Sequence, residues 1–75
     1  MFPVTSRVTC VRAMPSVYRL HYQCRPVGEA VTIDNVALYV SHSFSESGRV
    51  VASLRDAARW LEAIEDAIAT PLAAA

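Results

Sequence analysis

Residues 17–24 read Val17-Tyr18-Arg19-Leu20-His21-Tyr22-Gln23-Cys24, and their alternation decides the fold. Tyr18, Leu20, Tyr22 and Cys24 fall on one face of an extended segment, and Arg19, His21 and Gln23 on the other. A period of two with aromatic and β-preferring residues is the signature of a strand with one buried face. Arg25-Pro26-Val27-Gly28 follows, where proline presets one turn angle and glycine takes a positive φ, so a hairpin turn is expected there.

Working outward, the antiparallel sheet should hold three or four strands, at about 17–25, 29–33, 36–44 and, as an optional fourth, 49–52. Val36-Ala37-Leu38-Tyr39-Val40 is continuously apolar and should lie centrally, covered on both sides. Residues 34–43 also fit helical spacing, but their β-branched content favours the strand. Met14-Pro15-Ser16 and Ser45-Glu46-Ser47-Gly48 carry turn chemistry.

A C-terminal helix should span about 54–69. Ser53 is a good N-cap, and Leu54, Ala57, Ala58, Leu61, Ile64 and Ile68 recur at helical spacing opposite Arg55, Arg59, Glu62 and Asp66. Pro71 should stop it. The fold class is therefore α+β: one domain over 14–70, with residues 1–13 as a loose arm or Met14 as an alternative start, and 71–75 as a loose tail.

Seventy-five residues with 53% hydrophobic and 19% charged content fit one small folded domain. Gly28 and Gly48, the only glycines, cannot build a phosphate-cradling loop, which excludes P-loop and dinucleotide sites. His21, His42, Cys10 and Cys24 lack the paired spacing of a zinc module, so no metal or other cofactor is expected. Ser41-His42-Ser43 puts hydroxyls beside an imidazole, but neighbours on a strand diverge; His42 could meet Glu46 across the turn. No catalytic residue is assigned, and the chain is expected not to be an enzyme.

The two thiols should stay free and mostly buried in a reducing cytoplasm: they are too few for a disulfide scaffold, and if the segments around them paired as a hairpin through residues 14–16, position 10 would fall opposite about position 19. No secretory signal is visible, and the longest uncharged stretch, residues 35–45, is too short for a membrane helix. The absence of lysine, with many Ala, Val and Arg, suggests a GC-rich bacterial or phage genome.

Net charge is zero but unevenly spread. Residues 1–28 hold Arg7, Arg12, Arg19 and Arg25 and no acid, a net +4, and residues 29–75 carry a net −4. Within the helix, Arg55 and Arg59 precede Glu62, Glu65 and Asp66, an order that opposes the macrodipole. The acidic end should therefore face cations, on the first strands of the same chain or of a second copy.

Two function classes follow. The first is a small non-catalytic interaction or regulatory protein, homodimeric or with another protein partner. Trp60, Glu62, Glu65, Asp66 and a sheet edge would be its contact elements, because one helix covers only one face of such a sheet. The second is a nucleic-acid-binding module using Arg7, Arg12, Arg19 and Arg25. Salt separates them, since polyanion binding weakens steeply with ionic strength.

Overall fold

The computed structural model describes residues 1–69. Strands β1 (Phe2–Pro3), β2 (Val8–Met14), β3 (Val17–Tyr22), β4 (Arg25–Thr32), β5 (Leu38–His42) and β6 (Gly48–Val51) lead into helix α1 (Leu54–Ala69). All six strands pair antiparallel with their sequence neighbours, in the spatial order β1-β2-β3-β4-β5-β6. The class is α+β as expected, with six strands instead of three or four. The unforeseen strands, β1 and β2, lie in the segment read as an arm. In β2 only Val8 and Cys10 are fully buried and the strand ends exposed, so its alternation is too short to stand out.

The β2–β3 hairpin turns at Pro15-Ser16, and Cys10 faces Leu20 in its register. The next hairpin closes earlier than expected. Tyr22 pairs with Arg25, leaving a two-residue turn in which Gln23 and Cys24 take φ of 50° and 68°. Two successive positive φ values give the twist that suits a two-residue β-turn, here without glycine. The expected turn at residues 25–28 is instead the start of β4, and Cys24 is exposed in the turn rather than buried on a strand face.

Gly28 has a different task. A Cβ there would run into the Ser41 carbonyl oxygen and lie 2.9 Å from both terminal methyls of Leu61, so its bare backbone lets α1 press onto the sheet. A register shift after Leu20 leaves Val27 as the extra residue, and Val27 is fully buried.

Within 34–43 only residues 38–42 are strand, as β5, and none is helix. Residues 34–36 form a bend with Val36 exposed, and the exposed Tyr39 shows that the segment expected to be covered on both sides is covered on one. The loop at 43–47 and β6 match the expected turn and fourth strand. The helix runs over the expected residues, and its cap is formed: the Asp56 N–H donates to Ser53 Oγ at 3.1 Å. Pro71 and the tail at 71–75 lie outside the described residues.

Alternate residues face α1. Val8, Leu20, Tyr22, Val27, Ala30 and Val40 pack with Ala57, Ala58 and Leu61 into one cluster. Small side chains at Ala57, Ala58 and Gly28 bring helix and sheet close enough for this short core to close.

Candidate functional site

The polar residues singled out above divide into an internal ionic clasp and exposed surface. The clasp joins the C-terminal half of α1 to the first strands. Arg7 makes a two-pronged contact with Asp66, at 2.6 and 2.7 Å, and lies 3.6 Å from Glu62. Tyr22 Oη donates to Asp66 at 2.8 Å and accepts from Arg7 at 2.9 Å. The Thr5 hydroxyl donates to Glu62 at 2.7 Å. Arg7, then Tyr22, hold the Asp66 carboxyl below its usual range, while the bond to Asp66 holds the Tyr22 phenol above its own.

Behind this lies a buried cluster. Glu65 is only 3% exposed, although it stands among the charged residues of the helix. One of its oxygens accepts from Arg25 and the other lies 2.7 Å from His42 Nε2. His42 is also buried, and its Nδ1 is 3.1 Å from Ser45 Oγ. With Glu65 ionised and the imidazole neutral, Nε2–H donates to the carboxylate and Nδ1 accepts from the hydroxyl. His42 therefore meets Glu65, not Glu46.

A hydroxyl, an imidazole and a carboxylate in series resemble the relay of a nucleophilic enzyme. Here Arg25 takes the second carboxylate oxygen, and Ser45 Oγ accepts the Ser47 N–H at 3.2 Å within an exposed loop. Neither groove beside α1 includes any of the three residues. The arrangement fastens the β5–β6 loop to the helix.

Glu62, Glu65 and Asp66 are thus brought together against Arg7 and Arg25 of the same chain. Trp60 is not part of that group. Half-buried, it lies beside β6. The four N-terminal arginines do not share a face. Cross-strand partners point the same way, so the register puts Arg12 and Arg25 on the helix side and Arg19 on the opposite side. Arg19 lies 3.5 Å from Glu29, and Arg12 stacks 5.7 Å from the Tyr18 ring centre and donates to the Pro15 carbonyl. Among the described residues no three His, Cys, Asp or Glu side chains gather as a metal site, and no helix is long and apolar enough to cross a membrane.

The exposed surface has two features. On the sheet face away from α1, Val17, Val31, Tyr39 and Val50 stand side by side on β3, β4, β5 and β6. Val31, Tyr39 and Val50 are 39%, 43% and 59% exposed. The next row holds Val11, Arg19, Glu29 and Ser41. Tyr39 leans across Gly48, where any Cβ would collide with its ring, so the aromatic side chain covers a bare stretch of edge strand. The second feature is an open groove of about 540 Å³ between β6 and α1, lined by Arg49, Val50, Val51, Asp56, Arg59 and Trp60, among others.

The sequence pattern flagged Trp60 and the acidic helix end but missed the apolar row. Its residues come from four segments whose faces become comparable only once the register is known. No protein-family model matches the chain, and neither does any curated protein or solved structure.

Proposed function

We propose that the chain is a small, non-catalytic interaction protein of the cytoplasm that works as a homodimer, its two copies meeting through the sheet face that α1 leaves bare. The observation that carries this reading is the row Val17-Val31-Tyr39-Val50, four apolar residues abreast with no covering layer among the described residues. Single exposed apolar side chains are ordinary on protein surfaces, whereas contiguous ones mark contact sites.

The face also suits a copy of itself. Arg19 and Glu29 are neighbours on it, so a two-fold axis passing between them sets each against the opposite charge of the other copy. Zero net charge removes long-range repulsion between copies. Six strands about 4.8 Å apart, with roughly five residues each, give a face of about 24 by 17 Å, roughly half of what each partner contributes to a standard stable interface and in the range of weak, reversible contacts. The free thiols Cys10 and Cys24 fit a reducing compartment. The nucleic-acid reading has less support, because Arg7, Arg19 and Arg25 are each engaged by carboxylates of the same chain.

Sedimentation equilibrium tests the reading. Twice the chain mass is expected at about 0.1 mM, with little dependence on salt, and Val31→Glu should return a folded monomer. A wild-type monomer at that concentration, or an undiminished dimer in Val31→Glu, overturns it.

A further inference from the structure

β6 ends the sheet, and its outer edge has no strand beside it among the described residues. The His42 N–H donates to the Ser47 carbonyl at 3.0 Å, which makes residues 42 and 47 a hydrogen-bonded pair. Pairs of that kind alternate along an antiparallel ladder. Arg49 and Val51 therefore turn their backbone groups inward to β5, and Gly48 and Val50 turn theirs outward, free to bond a further strand.

The groove beside this edge is apolar at Val51 and Trp60 and cationic at Arg49 and Arg59. Neither arginine has an ion-pair partner among the described residues, unlike Arg7, Arg19 and Arg25. With Asp56 the lining carries a net positive charge. We propose that the β6 edge and this groove bind an extended acidic segment of another protein, which adds to the sheet as a strand. Gly48 and Val50 supply main-chain bonds. Carboxylates on alternate residues, pointing to the helix side, reach Arg49 and Arg59, and the segment's apolar atoms pack against Trp60.

A second copy fits this edge less well. Two-fold pairing of β6 with itself would gather four guanidinium groups against two Asp56 carboxylates in one seam, a like-charge juxtaposition. The site shares only Val50 with the sheet face proposed for dimerisation, here through its main chain and there through its side chain, and its peptide binding does not require a dimer.

The test is fluorescence anisotropy on the full chain with a fluorescein-labelled peptide of five Glu-Val repeats, its Lys-Val counterpart, and a single-stranded oligonucleotide of equal charge. The acidic peptide should saturate at micromolar concentration. It should bind at least about tenfold more weakly to Arg49→Ala/Arg59→Ala and to Val50→Pro, which removes an outward N–H without breaking a bond to β5. Val31→Glu should keep peptide binding whether or not it dissociates a dimer, so the two proposals fail separately. Circular dichroism melts confirm that each variant is folded. Absence of saturation by about 1 mM, equal binding of the lysine peptide, or full binding by the double variant overturns the proposal. So does equal binding of the oligonucleotide that Val50→Pro leaves intact, since that would mark a polyanion site rather than strand addition.

Discussion

Asp66 sits half-exposed between Arg7 and Tyr22, and the two hold its carboxyl below the ordinary value of 3.8. A carboxyl lowered by folding stabilises the native state above its unfolded value, and that contribution fades as pH falls through the native one. The melting-temperature gap between the wild type and Asp66→Asn should therefore be constant above about pH 5 and close in stronger acid. A gap unchanged at about pH 2 would mean that Asp66 acts through packing alone. Gly28 makes a different demand, for space. Gly28→Ala pushes a methyl group against a backbone oxygen and Leu61, neither of which can swing aside, so about 1–3 kcal/mol should be lost in urea denaturation. At this scale the sequence was half legible. Arg-to-acid complementarity between the two ends of the chain could be read from position alone. The burial of Glu65 could not, because a glutamate on the edge of an apolar stripe looks the same whether solvent or His42 lies beyond it.

Helix α1 was readable nearly to the residue because cap and periodicity agree. Ser53→Ala removes the side-chain acceptor for the Asp56 N–H and should cost about 1 kcal/mol, measurable as a shift in the urea midpoint at constant slope. Strands were harder. Proline and glycine at positions 26 and 28 offered ordinary turn chemistry, yet the chain turns at Gln23 and Cys24 and uses the glycine for helix contact. β1 is two residues long and β2 buries fully only Val8 and Cys10, so neither offers enough alternation to be seen without its partners. The acids late in α1 run against the helix dipole, and Arg7 and Arg25 offset them from outside the helix. Local preference lost there to a contact between distant parts of the chain.

At the scale of the whole molecule, opposite charges at the two ends of the sequence become a closure between the loop after β1 and the far end of α1. Every strand lies beside its sequence neighbour, so the sheet can assemble by successive short hairpins, a route that favours rapid folding. The clasp joins residues 59 positions apart in the chain, and its entropic cost is met only after the rest is in place. It should therefore act as a late latch that governs how long the native state survives rather than how quickly it forms. In stopped-flow measurements Arg7→Ala should leave the refolding limb nearly unchanged and accelerate unfolding severalfold. Slower refolding would instead place the latch in the nucleus. A protein built this way reaches its native state through its nearest contacts and keeps it through its most distant one.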